Sequence, residues 1–399
     1  MAQPVKKSII ESHPELDGQP IYTLIVDGTN LMKIAMIDPK INNEGIHYGG
    51  VFQFLLQLKI LLQKKDFDYV YVFFDDEDSG ILRYEIYNDY KANRDKNYAQ
   101  HSDGLSDYMK SFNANLKAMQ QAIYGKKTKK YKDSETLDKE RVEKENFIRE
   151  REILMKYFNE LYIRWMFDDK TEGDDLIAYY VLNKKPNDRV VIVSADEDLT
   201  QLLSDTVCIY NPRLKKFVSN KNFKEIRGYI HENVVIKKIL CGDTSDNIGN
   251  IDGVSEKRLF DLIPEIKERP ITINEIKERA QQEIEERKKN KKKPLKWHEN
   301  IVNGVSKRNY NGDFYEINNK IINLSTPLLT DDAREELESM MYTPMDPDGR
   351  SFNNLYQYIV EDNIADLLNS DRFSTFFSTF KSLIDKENKR YKDFLDKKS

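Results

Sequence analysis

The chain has 399 residues, a length that indicates about two or three domains. With 39% hydrophobic and 33% charged residues it is typical of a soluble globular protein, and its net charge of −5 gives no support to a simple basic nucleic-acid binder. Cys208 and Cys241 lack paired spacing and indicate reduced core residues of a cytoplasmic protein. No apolar run approaches the roughly 18 residues of a membrane span, and the N-terminus is not a secretory signal.

Three nearly continuous apolar segments predict buried parallel strands, and each ends in acidic residues. The segments are "IYTLIVDGTN", with a strand over Tyr22–Val26, "YVYVFFDDEDSG", with a strand over Tyr69–Phe74, and "RVVIVSADED", with a strand ending at Val193. Helical patterns at 51–64 and 174–183 separate them, so we expect an α/β fold with helices on both faces of a parallel sheet. Ligand sites of such sheets lie beyond the carboxyl ends of the strands.

The pattern divides the chain into four parts. Residues 1–20 are polar and predict a flexible tail, and residues 21–226 carry the α/β pattern, interrupted at 96–160 by a highly charged helical insertion. Residues 227–320 are helical, and 321–399 form a mixed, largely helical region that we interpret as a possible partner-binding part. The basic runs at 126–132 and 287–296 are equally compatible with contacts to duplex phosphates and with solvated linkers.

Nine acidic residues are the candidate metal ligands. In "TEGDDLIAYY", Thr171 resembles a helix cap, Glu172 and Asp175 share a helical face, and Asp174 points elsewhere. The full group comprises Asp27, Asp75, Glu172, Asp174, Asp175, Asp196, Asp198, Asp243 and Asp246. Each motif alone is more often a helix cap or a surface turn. Together, at three strand ends and two helix starts, they predict a site for Mg²⁺ or Mn²⁺, because hard oxygen donors without His or Cys favour these ions. Two such ions can drive an in-line phosphoryl displacement.

The ordered segments resemble the flap endonuclease/5′-exonuclease superfamily, whose core is a PIN-like domain. The matching blocks are "LIVDGTN", "VFFDDEDSGILRYEIYNDYKANRD", "TEGDDLIAYY", "VIVSADEDLTQLL" and "CGDTSDNIGNIDGVSEKRL". The C-terminal part, with "FYEINNKIINLSTPLLTDDAREELESM", resembles the T-even bacteriophage ribonuclease H branch of this superfamily. The resemblance implies a PIN-like core over 21–226, a helical arch at 96–160, and a helix–turn–helix duplex-binding region at 227–320.

The resemblance also assigns roles to individual positions. It implies a tighter metal group of Asp27, Asp75, Glu172, Asp174 and Asp196, a second group of Asp198, Asp243 and Asp246, and Asp175 in support. Lys91 and Arg94 match a basic pair on a helix over the active site that touches the scissile phosphate, and Arg83 matches a further basic position. Tyr90 is compatible with stacking on a base and equally with core packing.

The segment 241–260 combines acids with a phosphate-binding pattern. We expect Asp243 and Asp246 to face the metals, while Gly249, Gly253, Lys257 and Arg258 contact a duplex phosphate. The resemblance implies a monovalent cation in the 247–255 turn, although Ser255 replaces a glycine found in many relatives.

The resulting hypothesis is a two-metal, Mg²⁺-dependent 5′ nuclease in which Mn²⁺ substitutes. The resemblance implies 5′→3′ exonuclease activity on duplex DNA and RNA–DNA hybrid (a ribonuclease H activity), flap endonuclease activity, and primer removal in phage replication, by a monomer in the host cytoplasm. A single-strand-binding protein and a sliding clamp are the implied protein partners. Two alternatives stay open at this point: a PIN-type endoribonuclease on single-stranded RNA, and a non-catalytic DNA-binding or scaffold protein of the same fold.

Overall fold

The computed structural model describes residues 18–92, 134–364, 366–368 and 370–398. The predicted tail therefore lies outside the described residues up to Asp17, as do Arg94, most of the predicted arch and the basic run 126–132. Among the described residues, no helix is both long and apolar enough to cross a membrane.

A six-stranded sheet forms the centre of the molecule, in the order β3-β2-β1-β4-β5-β6. The strands are β1 (Ile21–Asp27), β2 (Tyr69–Phe73), β3 (Arg164–Met166), β4 (Asp188–Val193), β5 (Val207–Asn211) and β6 (Lys216–Val218). All neighbouring pairs are parallel except β5 and β6, which are antiparallel. The α/β fold with a parallel sheet is thus confirmed.

Helices cover both faces of the sheet, as its apolar strands require. The N-terminal helices are α1 (Gly28–Ala35), α2 (Gly49–Lys64), α3 (Ile81–Ile86), α4 (Ser134–Glu160), α5 (Gly173–Asn183) and α6 (Phe223–Arg227). The helices that follow are α7 (Val234–Cys241), α8 (Glu256–Leu262), α9 (Ile273–Lys289), α10 (Lys296–Asn303) and α11 (Phe314–Ile322). The C-terminal helices are α12 (Asp331–Met340), α13 (Phe352–Glu361), α14 (Ser370–Phe377) and α15 (Lys381–Lys398).

Helix α4 differs from the expected insertion, because its second half belongs to the core. Leu154, Tyr157 and Phe158 are fully buried against the face of the sheet that α2 also covers. Glu150 Oε2 accepts a hydrogen bond of 2.9 Å from the Val51 N–H near the start of α2. The expected insertion boundary at 160 is therefore too far along the chain.

The C-terminal helices pack on the same core rather than forming a separate body. Phe377 and Phe380 are buried in the cluster that contains Phe54 and Phe158. Arg164 of β3 forms a buried ion pair of 3.0 Å with Glu387 of α15. The described part of 321–399 is helical, in agreement with the largely helical region expected from the sequence, and it holds no strand.

A third apolar cluster joins α7 to α11 and supports the loop between α7 and α8. Ile239, Ile251, Leu259 and Ile301 are fully buried in it. The α7–turn–α8 unit predicted at 241–260 is present, and its acidic first half lies next to the carboxyl ends of the strands.

Candidate active site

The site begins at the end of β1. Asp27 caps α1, with its Oδ1 accepting a hydrogen bond of 2.9 Å from the Asn30 N–H. Its Oδ2 accepts a 2.7 Å hydrogen bond from the hydroxyl of Ser194, the residue that follows the neighbouring strand β4. Since β1 and β4 are parallel, their carboxyl ends meet and hold Asp27 in place.

Asp75, which follows β2, is likewise held in place by hydrogen bonds to neighbouring segments. Its backbone N–H donates to Thr29 Oγ1 at 2.7 Å, and its Oδ1 accepts from the Gly173 N–H at 2.8 Å. The carboxylate therefore binds the first residue of α5 and places Glu172 and Asp174 beside the end of β2. Glu172, and not the predicted Thr171, is the cap residue of α5, since the Thr171 hydroxyl accepts from the Thr330 N–H instead.

Two further loops complete the acidic group. The Asp196 N–H donates to Ser194 Oγ, and the Asp198 N–H donates to Asp196 Oδ1, each at 2.9 Å. Asp243 accepts two hydrogen bonds from Ser245, of 2.8 Å from its N–H and 2.6 Å from its hydroxyl. One oxygen each of Asp198, Asp243 and Asp246 lies within 4.8 Å of the others, a spacing suited to a shared cation.

Eight of the nine predicted acids line one cleft of about 240 Å³. They are Asp27, Asp75, Glu172, Asp174, Asp196, Asp198, Asp243 and Asp246. Residues that are up to 219 positions apart in the chain thus meet in one place. The convergence predicted from the strand ends is present in the fold.

The electrostatics of the cleft favour bound cations. Burial, together with the charge of Asp75, raises the pKa of Asp27 to about 7. Burial and the charges of Asp196 and Asp27 raise the pKa of Asp174 well above its ordinary value. Carboxylates that repel each other in this way either take up protons or bind cations. The donors are oxygens alone, without His or Cys, so the residues fit Mg²⁺ or Mn²⁺.

Comparison with known proteins defines the family. The family described as "5'-3' exonuclease, N-terminal resolvase-like domain" matches residues 22–228, just over half of the chain. The chain belongs to this family. A 5'-3' exonuclease of Mycoplasmopsis pulmonis is 34% identical over 97 residues, which are 24% of this chain and 33% of that protein. The flap endonuclease of Escherichia phage T5 is 26% identical over 251 residues, 61% of this chain and 69% of that protein.

The similarity to solved structures covers more of this exonuclease-family chain than the family match at residues 22–228. The crystal structure of the T5 D15 protein, co-crystallised with metal ions, covers 92% of this chain and 99% of its own, with a TM-score of 0.51 and 16% identity. That similarity concerns the fold, and it includes the helical C-terminal half beyond residue 228. The chain spans only about a third of the length of the Mycoplasmopsis relative.

Asp175, a predicted metal ligand, and Arg83, a predicted DNA contact, form an ion pair with each other instead. Asp175 is fully buried and binds Arg83 through both carboxylate oxygens, one of them 3.0 Å from Nη2. Arg83 also forms a 2.8 Å ion pair with Glu172 and donates from Nε to the Ile321 carbonyl. The guanidinium of Arg83 is engaged by these partners, and only 5% of the residue is exposed. The predicted contact between Arg83 and nucleic acid is therefore wrong, and Arg83 instead holds the acids in place.

Lys91 lies at the cleft, but its backbone differs from the prediction. It occupies a turn after α3 with φ of 51°, not a helix, whereas Arg94, the other residue of the predicted basic pair, lies outside the described residues. Lys91 Nζ forms an ion pair with Glu172, which also accepts a 3.0 Å hydrogen bond from the Tyr90 hydroxyl. Burial raises the pKa of Glu172, but Lys91 and Arg83 outweigh it and hold that pKa at about 2.

Tyr90 itself is 3% exposed and packs in the third apolar cluster. Of the two interpretations of this residue, core packing is therefore the one that the fold supports.

The predicted phosphate-binding turn differs from the expectation at Gly249 and agrees with it at Lys257 and Arg258. Gly249 is buried and its N–H donates to the Tyr310 hydroxyl at 3.0 Å, so it does not face a phosphate as expected. Gly253 has φ of 83°, and its carbonyl accepts from Arg258 Nη1 at 2.5 Å. Lys257 and Arg258 lie in the first turn of α8 and are exposed, as the sequence predicts.

One cation of the site was not predicted. Lys238 of α7 forms ion pairs with Asp198 and, at 2.6 Å, with Asp243. Burial raises the pKa of Asp243, but Lys238 outweighs it and holds that pKa at about 2. A lysine on the helix preceding the "GDTSD" loop was the only signal of this contact in the sequence.

Proposed function

We propose that the chain is a Mg²⁺-dependent 5′ nuclease that hydrolyses phosphodiester bonds of structured nucleic acid. The observation that carries this proposal is the convergence of eight carboxylates in one cleft of a 5'-3' exonuclease-family fold. The proposed reactions are 5′→3′ exonuclease cleavage of duplex DNA and RNA–DNA hybrid and endonuclease cleavage of 5′ flaps. In support, the relative in phage T5 bears the name flap endonuclease.

We propose that the metal ligands form two groups. Asp27, Asp75, Asp174 and Asp196 form no ion pair with any described residue, so they would hold an ion most strongly, and Glu172 stands beside them. Asp198, Asp243 and Asp246 would hold a second one. Bound Mg²⁺ supplies Lewis acidity that activates water and stabilises charge on the phosphate. Because the pKa of Asp27 is about 7, about half of the metal-free molecules carry a proton on this carboxyl group at neutral pH and lose it when an ion binds.

Lys91 is the proposed electrostatic catalyst. Its ammonium group stands at the cleft wall, with 13% of the side chain exposed, where a phosphate entering the acidic cleft would meet it. Positive charge at that point stabilises the negative charge that develops on the phosphoryl oxygens. Arg94, proposed as its companion from the resemblance, lies outside the described residues.

Duplex binding is assigned to the α7–turn–α8 unit. Lys257 and Arg258 are proposed to contact the phosphate backbone, with a monovalent cation bound in the 247–255 turn. Contacts of this kind go to phosphates and not to bases, so we expect little dependence on base sequence.

The finer role follows the resemblance to the T-even ribonuclease H branch. We propose RNA primer removal during phage replication in the host cytoplasm, by a monomer that works with a single-strand-binding protein and a sliding clamp. The C-terminal helices are the proposed partner-binding part.

The deciding experiment is a product-length assay with 5′-labelled flap, nicked and RNA–DNA hybrid substrates, with and without Mg²⁺. We expect short 5′ products and flap cleavage that require the ion. Asp196→Asn is expected to abolish turnover while DNA binding is kept, which would exclude a non-catalytic binding protein. Cleavage of single-stranded RNA in preference to all three substrates would instead identify a PIN-type endoribonuclease.

A further inference from the structure

Two residues with left-handed backbones lie in two segments that meet at the edge of the cleft. Lys91 has φ of 51° and Asn247 has φ of 61°, a conformation that costs free energy for any residue with a side chain and is best tolerated by Asn. The Lys91 N–H donates to the Asp246 carbonyl at 2.8 Å. In return, Asn247 Nδ2 donates to the Asp89 carbonyl at 2.6 Å.

This pair of hydrogen bonds joins two segments with different proposed tasks. Residues 87–91 carry Lys91 into the cleft, and residues 242–253 contain the acids Asp243 and Asp246 and the start of the duplex-binding unit. The two bonds run in opposite directions, from Lys91 to Asp246 and from Asn247 to Asp89, so a shift of one segment along the other would break both.

A second contact continues the connection toward the turn. The Tyr87 ring stacks on Tyr310, with centroids 4.7 Å apart and an interplanar angle of 9°. The Tyr310 hydroxyl in turn binds the N–H of Gly249 at 3.0 Å and its carbonyl at 3.3 Å. The turn and the Lys91 segment are therefore held together at both ends of residues 87–91.

We propose that Asn247 is a positioning residue that couples the duplex-binding turn to Lys91. A shift of the turn when a duplex binds is transmitted through the Asn247–Asp89 and Lys91–Asp246 hydrogen bonds to the backbone of Lys91, and thereby to its ammonium group. Asn247 acts through Lys91 and does not itself contact the reacting phosphate. The inference rests on the proposed nuclease function.

The test separates the side-chain hydrogen bond from the backbone conformation. Asn247→Gly keeps the left-handed backbone and removes the donor, and Asn247→Asp keeps the size but offers an oxygen that cannot donate to the Asp89 carbonyl. Asn363→Gly is the matched control, because Asn363 has nearly the same φ of 50° but follows α13 in the C-terminal region.

Two measurements on the full chain are compared. With a 5′-flap duplex, both Asn247 variants are expected to lower kcat about tenfold with KM and duplex Kd little changed. Hydrogen exchange of the amides at 87–92 is expected to rise about tenfold as well, with Tm unchanged, while Asn363→Gly changes neither quantity.

The proposed coupling is wrong if the Asn247 variants match the Asn363→Gly control in amide exchange at 87–92 or in kcat. It is also wrong if exchange at 87–92 becomes faster without a loss of kcat, since the contact would then have no catalytic consequence. If the wild-type chain cleaves no substrate, the proposed function fails. The hydrogen-exchange comparison then still decides, by itself, whether Asn247 holds the Lys91 segment.

Discussion

Replacing Lys238 with methionine is the sharpest test of the charge balance in the cleft. The ammonium group lies between Asp198 and Asp243, two of the three acids whose oxygens are close enough to share a cation. Methionine keeps most of the length of the side chain and removes the charge. We therefore expect the variant to lose stability without metal and to regain it when a divalent ion binds.

The magnitude follows from the pKa of Asp243. Burial raises this pKa, but Lys238 and the hydrogen bonds from Ser245 outweigh it and hold the pKa at about 2 against an ordinary value of 3.8, a net stabilisation of the ionised carboxylate of about 2.4 kcal/mol. Asp198 also loses its ion pair with Lys238, a partner with only 12% of its side chain exposed. Breaking a buried pair costs roughly 3–5 kcal/mol. We expect Lys238→Met to lower the free energy of unfolding by about 2–4 kcal/mol without metal.

The assay is urea unfolding in EDTA and in saturating Mn²⁺, together with calorimetric titration of Mn²⁺. Saturating Mn²⁺ should stabilise Lys238→Met more than wild type, because the ion takes the place of the lost ammonium group. Lys237→Met is the control: Lys237 lies on the same helix, but its ion pair, at 3.2 Å, is with Glu256 outside the cleft. The reasoning fails if Lys238→Met is as stable as wild type in EDTA, or if saturating Mn²⁺ stabilises Lys238→Met and wild type equally.

Three further outcomes are expected. Lys91→Ala should lower turnover on flap DNA about 100-fold while Kd changes little, and a variant that only binds more weakly would contradict its catalytic role. Because the pKa of Asp27 in the fold is about 7, well above that of an unfolded aspartate, the metal-free protein should lose stability as pH rises from about 4 to 7, and Mn²⁺ affinity should rise about tenfold per pH unit until the pH approaches 7. Calorimetry across pH checks both, and a flat profile would speak against burial of an unpaired Asp27. Glu387→Gln, which breaks the buried pair with Arg164, should cost about 3–5 kcal/mol in urea unfolding, whereas Asp385→Asn on the exposed face of the same helix should cost little.

The sheet and its acidic edge could be predicted from the sequence because both depend on local patterns. Apolar runs with few polar interruptions place the strands within one or two residues of their observed bounds, as Ile21–Asp27 and Tyr69–Phe73 show. Once the strands are parallel, the acids after Val26, Phe73 and Val193 must meet at one edge.

Side-chain partners between distant segments could not be predicted in the same way. Helical spacing alone cannot show which of Asp174 and Asp175 faces the cleft, since the answer depends on Arg83, which lies 92 positions from Asp175 and binds it. Nor does the "YNDYKANRD" pattern reveal that Lys91 leaves helical geometry, because its left-handed backbone is held by Asp246 and Asn247 from another part of the chain.

The distribution of cations in the cleft implies an order of metal binding. Arg83 and Lys91 compensate Glu172, and Lys238 compensates Asp198 and Asp243. Four further acids of the cleft form no ion pair with any described residue: Asp27, Asp75, Asp174 and Asp196. Protons or a bound cation relieve the mutual repulsion of these four carboxylates. Asp198 and Asp243, by contrast, already pair with the ammonium group of Lys238. The first divalent ion should therefore bind among these four acids, and a second should bind more weakly because it must displace the ammonium group of Lys238.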